Sequence, residues 1–324
     1  MDKDRVFIDK LTRDSLEKTM SAGFDWAGLK AIKRGQLVLL KPNLTYPKFK
    51  PGVTTTPQVL EMAIKLLIEL GAEVVVGESD GGYNSYEVHD AYHDYGLFEL
   101  EKKYGIRVVN FSADKSSWRT VTIRKYFKTF QVEYPALLED CDHFITLPVP
   151  KVHAMTRISL SYKNQWGCVP NTMRLRYHPI FNEAIFAINQ IPKSKFTIID
   201  GTYGLTRTGP MVGDFFAWGV LVVANNFEAA DLVVSKMMGV DLKKIGHYRL
   251  AYKNKLVPKV AEINLNQEFS QFASNKFYLK RDIWSYLALS AWLHPSINYF
   301  FYESFAADLL HKIMYTFRKK PISD

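Results

Sequence analysis

Lysine, asparagine, glutamate and histidine recur in one kind of place along this 324-residue chain, at the ends of short apolar runs. Leu37-Val38-Leu39-Leu40 leads into Lys41-Pro42-Asn43, and Val74-Val75-Val76 leads into Gly77-Glu78-Ser79-Asp80-Gly81-Gly82. Phe144-Ile145-Thr146-Leu147 leads through Pro148-Val149-Pro150 into Lys151-Val152-His153, and Phe196-Thr197-Ile198-Ile199 into Asp200-Gly201. Between the last two runs stands Lys163-Asn164-Gln165-Trp166-Gly167. A single lysine after a strand reads as a solvated charge. Three lysines, two asparagines and a histidine at equivalent positions read better as one pocket for a carboxylate or phosphate, because ammonium and amide donors bind such groups.

Within that pocket Lys41, Asn43 and Asn164 are expected to hold the anion. Thr55 and Thr56 at a helix start, Ser79, Asp200 and Gly201 complete the ligand-binding set. Lys151, His153 and Lys163 are the proton-transfer candidates. Neighbouring positive charge lowers a histidine pKa, and a desolvated lysine can act as base or as a Schiff-base nucleophile. Glu78 reads equally as a general base or as the neutralising partner of Lys41 or Lys163.

Other chemistries have weaker sequence signals. Gly77-Glu78-Ser79-Asp80-Gly81 fits the G-x-S-x-G elbow, with Asp200 and His247 later in the order of a serine hydrolase triad. No helix-forming stretch follows that elbow, however, and no HGGG-like loop is present. His89 and His93 have the spacing of a helical metal pair, beside Asp90 and Asp94, yet they fit an ordinary surface helix as well. Cys141 and Cys168 form no CxxC, so no metal site and no iron–sulfur cluster is expected, and any other cofactor is left open. The P-loop and G-x-G-x-x-G patterns do not occur.

Positioning these residues takes buried strands. The runs above, with Arg107-Val108-Val109 and Val220-Leu221-Val222-Val223, are apolar at nearly every position, which predicts burial on both faces of a parallel or mixed sheet. Thr56-Pro57 predicts a helix start, continued by Val59, Ala63, Leu66, Leu67 and Leu70 to Gly71. Further helices are expected around 95–103, 182–190 and 227–238. The alternation predicts a three-layer α/β fold over residues 1–250. Residues 251–324 are expected to form a helical extension.

The composition, 47% hydrophobic and 14% aromatic, excludes a disordered chain. The formal charge of +9 is scattered, with one cluster at Arg318-Lys319-Lys320, so nucleic acid is not expected as a partner. The N-terminal sequence lacks a signal-peptide core, and a cytoplasmic location is expected. From Ile283 to Tyr302 no charged residue occurs, while Trp284, Trp292, Tyr299, Phe300 and Phe301 do. Length alone allows a membrane span, but His294-Pro295-Ser296 near its centre argues for helices packed on the domain or on a second subunit. The alternative is a patch lying on the inner, anionic membrane face, aided by the basic tail.

Several segments in order resemble a known family. LVLLKPNL at 37–44, Thr54-Thr55-Thr56-Pro57, EVVVGESDGG at 73–82, LPVPKVHAMTRISLSYKNQWGCVP at 147–170, IIDGTYG at 198–204 and LVVANNFEAADLVVSKMMGV at 221–240 are similar to the domain-of-unknown-function family 362. The resemblance covers about residues 35–245 and singles out Asp231. Many members carry a ferredoxin-like cluster module, and this chain lacks its cysteines, so a redox accessory role would need a separate iron–sulfur partner. The layout also has a fold-level similarity to lactate racemase catalytic domains, which implies basic residues on a substrate carboxylate.

The reading is therefore an enzyme using acid–base chemistry, as an isomerase, lyase or relative, on a small anionic metabolite. Its alternatives are an anion-sensing adaptor at a membrane surface and, as a minor one, a serine hydrolase using Ser79.

Overall fold

The structure, a computed structural model, describes residues 4–281 and, beyond them, 286, 289, 290, 292–307, 309 and 310. The runs of valine, leucine and isoleucine form the strands that their continuous apolarity predicts. In chain order these are β1 (Arg5–Lys10), β2 (Leu37–Pro42), β3 (Glu73–Glu78), β4 (Arg107–Asn110), the hairpin pair β5 (Trp118–Lys125) and β6 (Lys128–Pro135), and β7 (His143–Leu147). Then follow β8 (Lys151–His153), β9 (Arg157–Ser159), β10 (Lys195–Thr206), β11 (Asp214–Ala224) and β12 (Asn264–Leu265). The main sheet runs β12-β1-β11-β10-β7-β2-β3-β4, with β8 and β9 attached beside β10. From β10 through β7, β2 and β3 to β4 every pairing is parallel, whereas β11 is antiparallel to both of its neighbours. The sheet is thus mixed and mostly parallel.

Side-chain alternation along each strand divides the core into two layers. Val38, Leu40, Val74 and Val76 face helices α1 (Leu16–Ala27), α2 (Pro57–Glu69), α3 (Val88–Asp94) and α4 (Leu97–Tyr104). Leu39, Val75 and Phe144 face the opposite layer, where α5 (Leu137–Asp140), α6 (Ser161–Asn164), α7 (Phe181–Ile188), α8 (Phe227–Met237) and α9 (Gly246–Lys253) lie. This is the three-layer arrangement expected. The helix starting at Pro57 ends at Glu69, and α8 is capped by Asn226, whose Oδ1 accepts from the Ala229 N–H at 2.9 Å.

The chain after residue 250 is tied into the sheet. β12 pairs with β1, Leu279 bridges to Arg207, and Phe277 packs on Phe216 and Trp218. Helices are present there as expected, and one short strand joins them because β1 leaves an edge that Asn264–Leu265 can pair. Farther on, α10 (Pro295–Tyr302) lies against the segment Arg174–Ile180, where Asn298 Nδ2 donates to the Leu175 carbonyl at 3.0 Å. No helix of the described residues is long and apolar enough to cross a membrane. The basic cluster Arg318-Lys319-Lys320 and residues such as Trp284 lie outside the described residues.

Candidate functional site

Parallel strands deliver their carboxyl ends to one edge, the ordinary place for a ligand in such sheets. Lys41 ends β2 and Glu78 ends β3, and they meet in a buried ion pair with Lys41 Nζ 2.6 Å from Glu78 Oε2. Lys41 Nζ also donates to the Pro42 carbonyl at 3.0 Å. Glu78 Oε1 accepts from the Ser79 N–H at 3.0 Å. Glu78 is thus the ion-pair partner of Lys41. Gly167 sits against this pair: a Cβ there would lie 2.3 Å from Glu78 Oε1 and 2.8 Å from Lys41 Nζ.

Lys151 starts β8 and is buried, with Nζ donating to the Val53 carbonyl at 2.6 Å. Burial, then the charges of Lys163 and Lys41, pull its pKa down to about 7 against the opposing pull of Glu78. Lys163, on the short α6, is likewise buried and lowered to about 7, by burial first and then by Arg174 and Lys41. Among the described residues Lys163 has no ion pair, and its ammonium lies over the rings of Phe181 at 5.2 Å and Trp166 at 6.0 Å. His153 is partly exposed. Its Nδ1 accepts from the Met155 N–H at 3.1 Å, which leaves Nε2 to carry the proton of the neutral ring. Burial, followed by Lys163 and Lys151, holds its pKa well below the ordinary value.

The remaining expected ligand residues mostly brace the site. Thr55 Oγ1 accepts from the Asn43 N–H and donates to the Leu147 carbonyl, both at 2.8 Å, and so ties β2 to β7. Asn164 Nδ2 donates to Thr146 Oγ1 at 2.7 Å. Asp200 accepts from the Thr56 N–H at 2.6 Å and from the Thr202 hydroxyl at 2.6 Å, which fixes the start of α2. Gly201 is packed so closely that a Cβ would lie 2.4 Å from the Val220 carbonyl oxygen.

The hydrolase triad is not assembled. Ser79 Oγ donates to the Gly167 carbonyl at 2.7 Å, Asp200 is bound to the start of α2, and the buried His247 ring nitrogens have no hydrogen-bond partner among the described residues. A 3-10 turn over Gly82–Asn84, rather than an α-helix, follows the elbow sequence. His89 and His93 pack on Phe98. Among the described residues no group of three or more His, Cys, Asp or Glu could hold a metal ion. Both cysteines are buried, and burial pushes each thiol up to about 12.

Arg174 and His178 join the site without having been placed there by sequence reasoning, and His247, read only as a hydrolase triad member, lies beside it. Arg174 is buried, with its guanidinium donating to the Asp80 carbonyl at 2.7 Å and the Val169 carbonyl at 3.1 Å. His178 stacks on Trp166, and His247 stacks on Tyr162. Burial foremost, then Lys163, lowers both histidines to about 3, so they are neutral. Arg174 and His178 belong to Arg174–Ile180, a 3-10 segment that follows Pro170 and contains Pro179, with no strand before it to mark it in the sequence. Asp231, singled out by resemblance, accepts from the Ser161 and Tyr162 N–H groups at 3.0 and 2.9 Å and from the Tyr248 hydroxyl at 2.5 Å. It thereby positions the helix that carries Lys163 and Asn164.

Comparison with known proteins places this geometry in context. The family described as "Domain of unknown function (DUF362)" matches residues 38–236. A thylakoid-associated protein of Synechocystis sp. is 27% identical over 241 residues, which are 72% of each chain. Among solved structures, a Thermotoga maritima protein aligns with a TM-score of 0.43 at 16% identity, over 59% of this chain and 51% of its own. The lactate racemase apoprotein from Thermoanaerobacterium thermosaccharolyticum aligns with a TM-score of 0.39 at 13% identity, over 60% of this chain and 50% of its own. The chain thus spans about half the length of these two solved proteins.

Proposed function

The chain belongs to the DUF362 family, and on that premise we propose that it is an enzyme performing acid–base chemistry on a small carboxylate- or phosphate-bearing metabolite. One observation carries the reading. Four buried cationic side chains, Lys41, Lys151, Lys163 and Arg174, act on one another at the strand ends, and the carboxylate among them, Glu78, is already paired with Lys41. Burying cations without counter-ions is costly, and a bound anion offsets that cost. Lys163 and Arg174 then hold the anionic group. Lys151 takes a proton as the free amine or returns it as the ammonium, because a pKa of about 7 populates both forms at neutral pH. His153, neutral with its proton on Nε2, is the proposed relay for that proton. α-Proton exchange in D2O, followed by NMR on a panel of small 2-hydroxy and 2-oxo carboxylates and phosphorylated sugars, tests the reading. Absence of exchange and of binding across the panel would overturn it.

The pH dependence follows in sign. The two lysines have unfolded values of 10.5 and folded values of about 7, so between these limits the unfolded chain binds more protons. Ligand-free stability therefore rises with pH from about 7 to 10.5. An anion favours the ammonium forms, so its binding takes up protons. Affinity for acetate, whose own charge is constant in this range, is expected to fall up to about tenfold per pH unit per coupled lysine above neutrality. Titration calorimetry in buffers of different ionisation enthalpy reads the proton uptake directly, and a pH-independent affinity would contradict it.

A second reading, attachment to an anionic membrane surface through the C-terminal residues, has its own support. Leu293, Ile297, Tyr299 and Phe300 are exposed on and beside α10. The name of the Synechocystis relative, thylakoid-associated, agrees with it. Removing residues 280–324 is then expected to reduce flotation with anionic vesicles, and undiminished flotation would remove this reading.

A further inference from the structure

The hairpin of β5 and β6 departs from ordinary turn chemistry at its tip. Register pairs Lys125 with Lys128, so the loop is the two residues Tyr126 and Phe127. Both have positive φ, 52° and 57°, as the tightest hairpin turn requires. Asn-Gly is the usual occupant, since aromatic side chains are sterically disfavoured in the left-handed region. Here the two aromatics project into solvent instead, Tyr126 at 49% and Phe127 at 114% exposure. The Lys125 ammonium lies 4.7 Å from the Tyr126 ring centroid, while Phe127 is fully exposed, and so strained a pair of exposed aromatics points to a role outside the fold.

The charges around the tip have one sign. From Lys115 to Val132 the sequence holds Lys115, Arg119, Arg124, Lys125 and Lys128 and no Asp or Glu. Lys125 is paired with Glu183 at 2.8 Å, and Arg119, at the other end of β5, with Glu139 at 2.6 Å. Among the described residues Arg124 and Lys128, beside the aromatics, have no ion pair. An aromatic pair at a cationic tip is the pattern that seats at the headgroup level of an anionic bilayer, with rings at the interface and ammonium and guanidinium groups on phosphates.

We propose that the Tyr126-Phe127 hairpin tip is a membrane-docking element that inserts into an anionic lipid surface. It is a different element from the C-terminal helix, and the two are neighbours through one segment. Lys125 Nζ donates to the Pro179 carbonyl at 3.3 Å, while Asn298 of α10 holds the Leu175 carbonyl at 3.0 Å. Both contacts fall in Arg174–Ile180, the segment that supplies Arg174 and His178 to the candidate site. Docking by the hairpin therefore brings that side of the site toward the lipid.

The test compares flotation of the full chain with vesicles of phosphatidylcholine alone and of phosphatidylcholine with phosphatidylglycerol. The variant Tyr126→Asn/Phe127→Gly installs the residues the turn prefers, so the hairpin folds at least as well, and an unchanged or higher Tm verifies this. Its binding to phosphatidylglycerol vesicles is expected to fall about tenfold or more. Arg124→Gln/Lys128→Gln is expected to weaken binding to the anionic vesicles selectively and to reduce its salt dependence. Wild-type flotation undiminished in both variants overturns the hairpin assignment while leaving C-terminal attachment standing. Absence of wild-type flotation with either vesicle overturns the proposal, and assigns the tip to a protein partner if binding to one is lost in the Asn-Gly variant.

Discussion

Lys151→Met is expected to lower turnover roughly 10²- to 10⁴-fold with the fold intact. Methionine keeps the apolar stem and removes the ammonium. The hydrogen bond to the Val53 carbonyl is lost, but so is the repulsion from Lys163 and Lys41 that helps to hold the Lys151 pKa near 7. A structural role alone would show in the melting temperature, and a proton-transfer role shows in the rate. His153→Ala separates relay from base: it is expected to slow turnover by a similar factor while the pH profile retains its inflection near 7 from the lysines. The panel exchange assay with urea unfolding measures both. Full activity in the two variants would remove these residues from the chemistry.

Glu78→Gln carries the largest expected effect on stability, a loss of about 3–5 kcal/mol. Lys41 is fully buried, and its ammonium has the Glu78 carboxylate at 2.6 Å and one backbone carbonyl as its hydrogen-bond partners. The glutamine amide preserves shape but leaves the buried charge uncompensated among cationic neighbours. Replacing both partners, Lys41→Met with Glu78→Gln, removes the stranded charge and is expected to recover much of the loss. Urea unfolding of the four members of this cycle measures the coupling. A single substitution costing less than about 1 kcal/mol would mean that water already solvates the pair.

The two expectations divide the strand-end cluster by role. Lys41, Glu78, Asn43, Thr55, Asn164 and Asp200 mainly hold the strand ends and loops together through bonds among themselves and to backbone groups. Lys151, Lys163 and Arg174 are buried cations with no ion pair among the described residues, and on the proposed reading a ligand answers their charge. The same short segment that brings Arg174 to the site also contacts α10 and the hairpin.

Apolar continuity in the runs at 37–40, 74–76, 144–147 and 196–199 was enough to place Lys41, Glu78, Lys151 and Asp200 at one sheet edge, because strands buried on both faces can hardly be anything but neighbours in an α/β sheet. The helix from Pro57 was legible for the same local reasons. Alternation was too weak to reveal β1, the β5–β6 hairpin or β8 and β9, which are short or half exposed. Which charged groups pair and which stay unanswered depended on distances across the sheet that no sequence spacing encodes. Glu78 lies 37 residues from Lys41, and Arg174 reaches the site from a segment with no periodic signal. Sequence by itself determined the family, the layered fold and the list of ionisable groups at the strand ends. Tertiary structure decided which of them are paired and which are not, because burial and neighbouring charge, rather than residue type, set the protonation of a lysine or histidine.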